Sequence, residues 1–112
     1  MDAETLAALK GSIAKWDAIA EGTGRDQGSD NCPLCVMFLE LGVCDGCPVY
    51  AKTGWQRCAR TPYSTWWSTY HKEHGQRPQN YDGIATTDEL KALARAEADF
   101  LRSLLPKGET AP

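Results

Sequence analysis

Five cysteines are clustered between residues 32 and 58, and their spacing carries the clearest chemical signal in the chain. They form two Cys-x-x-Cys pairs, Cys32/Cys35 and Cys44/Cys47, followed by Cys58. Two thiolates of such a turn can face one ion, and two further thiolates complete a tetrahedral four-sulfur site. Because four ligands suffice, one cysteine is spare. We predict Cys32, Cys35, Cys47 and Cys58 as metal ligands, with Cys44 as the alternative ligand.

Zinc is the predicted ion, since paired Cys-x-x-Cys turns are most commonly structural zinc sites, which are closed to substrate. An iron–sulfur cluster is the alternative, because cysteine followed by proline, as at Cys32-Pro33 and Cys47-Pro48, also accompanies such clusters. Two other interpretations compete with a metal. The cysteines can be buried core residues, or one pair can be redox-active as in thioredoxin-like proteins, although the βαβ context of those proteins is not evident.

Length and composition describe an ordinary small globular domain. The chain has 112 residues, 42% of them hydrophobic, and a formal net charge of −3, which does not suit a protein that binds duplex DNA through bulk positive charge. Its first residues lack the basic and apolar segments of a secretion signal. We therefore expect a cytoplasmic protein whose thiols stay reduced. The odd number of cysteines also prevents complete internal disulfide pairing.

The elements that must position the cysteines are predicted to be helices. An amphipathic pattern covers residues 2–20, with Gly22 ending the helix, and another covers about 87–105, with Thr86 and Glu89 as a capping box. Between them, Pro33 starts a short helix. The spacing predicts a mainly α, single metal-stabilised helical domain over 1–106, in which the two long end helices pack on a cysteine-rich, metal-bound middle. Residues 107–112 are predicted to be a flexible tail.

A third helix, over 61–74, carries an aromatic stripe. Thr61 is its expected N-cap, and Pro62 suits the first position of the helix. Aromatic residues at helical spacing normally enter the core, which we expect for most of this stripe. The adjacency of Trp66 and Trp67 directs at least one ring elsewhere. The predicted partner-contact residues of this basic, aromatic region are the following: Trp55, Arg57, Arg60 and Trp66.

The histidines of this helix, His71 and His74, are three residues apart and so could face one ion. Because the four-cysteine set is already complete, we predict surface or packing roles for both.

A resemblance joins these motifs. Asp30-Asn31-Cys32-Pro33-Leu34-Cys35, then Cys44-x2-Cys47-Pro48-Val49, Thr53-Gly54-x3-Cys58 and Thr61-Pro62-Tyr63 are similar to a loose group of small cysteine-rich bacteriophage and prophage proteins. The similarity covers roughly residues 20–70. The group is essentially uncharacterised, so the resemblance implies a phage-type origin and a bacterial cytoplasm but neither a fold nor an activity.

These observations predict a non-enzymatic, metal-binding protein module, namely a phage accessory factor that engages or inhibits a bacterial host protein. The alternative is a module that binds single-stranded nucleic acid through the basic aromatic segment 52–78, with rings that stack on bases. A further alternative is an iron–sulfur or redox protein.

Overall fold

The computed structural model describes residues 1–27, 31–38, 47–54, 61–74 and 83–109. Within these residues the chain forms no strand, and the predicted mainly helical fold is confirmed. The helices are α1 (Ala3–Glu21), α2 (Pro33–Phe38), α3 (Pro48–Thr53), α4 (Pro62–His74) and α5 (Asp88–Arg102). Among the described residues, no helix has both the length and the apolar character needed to cross a membrane.

Helix α1 begins and ends where its sequence predicts. The Asp2 side chain caps its start by accepting the backbone N–H of Thr5 at 2.7 Å. Gly22 closes the helix in the left-handed conformation, with φ at 86°, and donates its N–H to the carbonyl groups of Ala18 and Ile19.

Helix α5 differs from its prediction at the N-terminus. Thr87, and not Thr86, is the N-cap, and its hydroxyl accepts the Leu90 N–H at 3.2 Å. The predicted capping box of Thr86 and Glu89 is therefore wrong by one residue. The reason is tertiary, since the Thr86 hydroxyl instead lies 3.0 Å from Nε2 of His74 on α4.

The two short helices, α2 and α3, begin in the same way. Each begins at a proline that directly follows a cysteine, and the carbonyl group of that cysteine accepts the first helical hydrogen bond. Val36 donates to Cys32 at 2.8 Å, and Ala51 donates to Cys47 at 2.9 Å. Helix α3 was not predicted. It ends at Gly54, which adopts a φ of 74°.

The two long end helices pack mainly against each other, while α4 packs on α5 and α2 packs on α1. The Trp16 ring of α1 meets two α4 rings edge-on, with centroid distances of 5.2 Å to Trp66 and 5.4 Å to Tyr63. The core therefore centres on aromatic rings between helices and on the apolar faces of α1 and α5. Its buried hydrophobic members are Leu9, Ile13, Trp16, Ile19, Leu34, Cys47, Val49, Trp66, Tyr70, Ala85, Leu90, Ala94, Ala98 and Leu101.

Candidate functional site

The Cys32–Cys35 pair lies at the start of α2, where that helix rests on α1. Both the thiol and the backbone N–H of Cys35 donate hydrogen bonds to the Cys32 sulfur. The Ser12 hydroxyl of α1 lies 3.7 Å from the same sulfur and accepts the backbone N–H of Leu34 at 3.3 Å. Ser12 therefore ties the first turn of α2 to α1 and fixes the position of the pair. Both cysteines are half-buried.

These contacts make Cys32 acidic. The hydrogen bond from the Cys35 thiol is the largest influence, and it outweighs the opposing effect of burial. The backbone N–H of Cys35, the charge of Lys15 and the Ser12 hydroxyl act in the same direction as the thiol, and together they lower the pKa of Cys32 to about 6. At neutral pH Cys32 is therefore mainly a thiolate, which is the form that binds metal ions and attacks disulfides.

A buried ion pair lies behind the cysteines. The Lys15 ammonium is 2.7 Å from Oδ1 of Asp26, and the side chains are 8% and 0% exposed. The Tyr63 hydroxyl donates to Oδ2 of Asp26 at 3.2 Å, and the Asp26 backbone N–H donates to the Gly83 carbonyl at 2.9 Å. The loop after α1 is thereby fastened to α4 and to the segment that precedes α5.

A buried carboxyl group, Glu97 of α5, completes the polar interior. The residue is 3% exposed, and Oε1 has no hydrogen-bond partner among the described residues. Burial is the main cause that raises the pKa of Glu97 to about 8, and the negative charge of Cys32 adds to it. The backbone N–H of Tyr63, in the first turn of α4, donates to the carboxyl group and opposes this change. Glu97 is therefore mainly a neutral acid at pH 7.

Our sequence analysis missed this polar interior, although α5 does carry a signal for it. Glu97 shares the apolar stripe of Leu90, Ala94 and Leu101, so an acidic residue stands at a core position. The sequence carries no comparable signal for the Lys15–Asp26 ion pair. The pair forms only because the loop after α1 folds back onto that helix.

The described residues include three of the predicted metal ligands. Cys32 and Cys35 are in contact, whereas Cys47 is buried in the core as the N-cap of α3. Across the ranges that the structure describes, no three His, Cys, Asp or Glu side chains form a group that could hold a metal ion. Cys58, and its alternative Cys44, lie outside those ranges. The structure thus describes half of the predicted ligand set as a pair in contact.

Trp66 corrects one predicted partner contact. Its ring is 0% exposed and packs between Trp16 and Tyr70, so it has no surface to offer a partner. The ring that points outward is that of Trp67, which is 43% exposed and stacks on His71 with a centroid distance of 3.7 Å. The other predicted contact residues, Trp55, Arg57 and Arg60, lie outside the described residues.

The two histidines occupy different environments. His71 is buried and its Nδ1 lies 2.8 Å from the Trp67 carbonyl oxygen, whereas His74 is exposed and contacts Thr86.

Comparison with known proteins adds no family to this description. No protein-family model, curated protein or solved structure matches the chain. The functional interpretation therefore depends on the chemistry and geometry of the site.

Proposed function

We propose that this chain is a small, non-enzymatic binding domain stabilised by one zinc ion, with Cys32, Cys35, Cys47 and Cys58 as ligands. The observation that carries the proposal is the contact between the Cys32 and Cys35 side chains at the start of α2. A borderline-soft cation such as zinc is commonly bound by cysteine thiolates, and two neighbouring cysteines supply half of a four-sulfur site. Cys44 is the alternative fourth ligand, and an iron–sulfur cluster is the alternative group.

The short helices explain why the domain benefits from a metal. Helices α2 and α3 contain six residues each, a length at which an isolated helix is not stable in water. Each of them starts at a cysteine-proline step, at Cys32 and at Cys47. A metal ion shared by these cysteines would fasten both helix starts to one point. Its binding free energy would then contribute directly to folding.

The partner that we propose is a bacterial host protein, met in the cytoplasm by a phage-encoded factor. The resemblance to small phage and prophage proteins supports this, and the net charge of −3 does not suit binding of duplex DNA through bulk positive charge. The exposed ring of Trp67 suits a protein contact, because tryptophan is enriched where interfaces bury most area. The proposed contact residues are Trp55, Arg57, Arg60 and, in place of Trp66, Trp67.

Binding of single-stranded nucleic acid is the weaker proposal. It requires exposed rings that stack on bases within segment 52–78. The burial of Trp66 removes one of those rings from contact with bases, which leaves Trp67 as the exposed tryptophan in the described part of the segment.

Zinc release tests the structural role. The purified chain is titrated with a chelator while released zinc is measured colorimetrically and helicity is followed by circular dichroism. We expect the loss of zinc to coincide with a loss of helicity, and Cys32→Ser to bind zinc more weakly than Cys44→Ser. If Cys32→Ser retained zinc as tightly as Cys44→Ser and the wild type, Cys32 would not be a ligand. Complete release of zinc with unchanged thermal stability would contradict the structural role.

A further inference from the structure

We propose that Cys32 and Cys35 form a reversible dithiol–disulfide couple that exchanges with disulfide-containing substrates, with Cys32 as the attacking and Cys35 as the resolving residue. This activity goes beyond the proposed function, because it needs two of the cysteines and no metal.

The geometry of the pair carries this inference. The Cys35 side chain contacts the Cys32 sulfur directly, so the two sulfurs are already neighbours in the folded chain. Both residues are half-buried, which leaves each partly open to a reactant, whereas Cys47 is only 7% exposed. Beside the pair, Val36 is 49% exposed, so the adjoining surface is open as well. A reactant can therefore reach the pair more readily than it can reach Cys47.

The hydrogen bonds distinguish the two roles. The Cys32 sulfur accepts hydrogen bonds from the Cys35 thiol, the Cys35 backbone N–H and the Ser12 hydroxyl. The charge of Lys15 also acts on this sulfur. Hydrogen-bond donors therefore surround the Cys32 sulfur, and the Cys35 thiol is one of them. A nucleophile requires the thiolate and a resolving residue requires proximity, so the arrangement assigns attack to Cys32 and resolution to Cys35.

The exchange balances without a further reactant. The Cys32 thiolate attacks one sulfur of the substrate disulfide, a Cys32–substrate disulfide forms, and the other substrate sulfur leaves as a thiolate that takes up a proton. Cys35 then loses its proton to solvent and attacks the Cys32 sulfur. The Cys32–Cys35 disulfide forms as the second substrate sulfur leaves and is protonated. Two electrons pass from the cysteine pair to the substrate, which becomes two thiols.

Glutathione is a suitable probe for this exchange. The full-length chain, as purified, is equilibrated without oxygen in mixtures of oxidised and reduced glutathione, quenched with acid, alkylated and mapped by peptide mass spectrometry. A parallel sample in urea reports the pairing that chain proximity alone produces. Cys35→Ser is used to trap the first step, and Val36→Ser, at an exposed position beside the pair, is the matched control.

We expect the folded chain to yield one linked peptide, Cys32–Cys35, whose amount rises with the oxidised fraction and falls again when reduced glutathione is restored. Cys35→Ser should accumulate a mixed disulfide on Cys32, and Val36→Ser should behave as the wild type. The urea sample should give several pairings. Absence of the Cys32–Cys35 link, or the same mixture in the folded and urea samples, would overturn the proposal even if Cys35→Ser did not fold.

The zinc content of the same preparation separates this proposal from the preceding one. A zinc-free chain that forms the link supports the couple and contradicts the metal-stabilised domain. A zinc-containing chain that never forms the link overturns the couple and leaves the metal-stabilised domain in place.

Discussion

Replacing Glu97 by glutamine tests the buried polar interior directly. Glutamine has the shape of a protonated glutamic acid but cannot ionise. The pKa of Glu97 lies at about 8 in the folded chain, against 4.5 for an ordinary glutamic acid, mainly because the carboxyl group is buried. Between these two pH values the folded chain holds a proton that the unfolded chain has lost. The Glu97 contribution to stability is therefore complete below pH 4.5 and is lost as the pH rises to about 8.

The size of the effect follows from the two pKa values. Each tenfold difference in proton affinity corresponds to about 1.4 kcal/mol, so the interval from 4.5 to about 8 corresponds to a loss of about 5 kcal/mol. About 3 kcal/mol of it is lost by pH 7 on the same linkage argument. Small domains are stable by only about 5–15 kcal/mol, so a change of this size is easily measured.

Cys32 acts in the opposite direction over part of this range. Its pKa is lowered from 9.0 to about 6, chiefly by the hydrogen bond from Cys35, so the folded chain releases a proton that the unfolded chain still holds. This contribution is absent below pH 6 and grows as the pH rises toward 9. The interval from pH 4.5 to 6 therefore isolates Glu97. Above pH 6 the two effects oppose each other in the wild type.

The assay is urea unfolding at a series of pH values from 4.5 to 9, followed by circular dichroism. We expect the free energy of unfolding of the wild type, relative to Glu97→Gln, to fall by about 2 kcal/mol between pH 4.5 and 6 and to continue falling to pH 8. Glu89→Gln, an exposed position in the first turn of the same helix, is the matched control and should track the wild type. Parallel pH curves for the wild type and Glu97→Gln would refute the reasoning.

Three further substitutions probe backbone geometry, core packing and the buried ion pair by urea unfolding. Gly83→Ala should lower the free energy of unfolding by at least about 2 kcal/mol more than Gly108→Ala does. A Cβ at Gly83 would lie 1.9 Å from a backbone oxygen, whereas Gly108, also at positive φ, has open space around it. Equal losses in the two variants would contradict this close approach. Trp66→Ala should cost about 3–5 kcal/mol and Trp67→Ala less than about 1 kcal/mol, and the reverse order would contradict their assigned burial. Lys15→Met should cost about 3–5 kcal/mol by leaving a buried carboxylate unpaired, and a neutral result would show that the pair is not needed.

Local sequence signals were sufficient for the long helices. The amphipathic pattern over residues 2–20 predicted α1, whose buried face includes Leu9, Ile13 and Trp16, and Gly22 marked its end. These features depend on neighbours within a few residues, which is why a sequence pattern reveals them.

Features that depend on tertiary contacts could not be obtained in the same way. The capping-box spacing favoured Thr86 over Thr87, whereas in the structure the Thr86 hydroxyl contacts His74 and Thr87 caps the helix. The aromatic stripe of α4 predicted burial, but its position relative to Trp16 determined that Trp66 enters the core and Trp67 does not.

The candidate site also combines features that the local sequence predicts with features that depend on tertiary contacts. The spacing of Cys32 and Cys35 indicated thiolate chemistry, whereas the acidity of Cys32 also depends on Ser12 and Lys15 from another helix. The predicted ligands Cys47 and Cys58 remain a prediction, because spacing alone does not place them around one ion.

Metal content tests the central claim most directly. The native chain, purified without added metal or chelator, is analysed by elemental mass spectrometry together with its visible absorbance spectrum. The account predicts one zinc per chain, no colour, and a loss of zinc in the Cys32→Ser/Cys35→Ser variant. A wild-type chain with no bound metal would contradict it, and iron with visible absorbance would replace zinc by an iron–sulfur cluster.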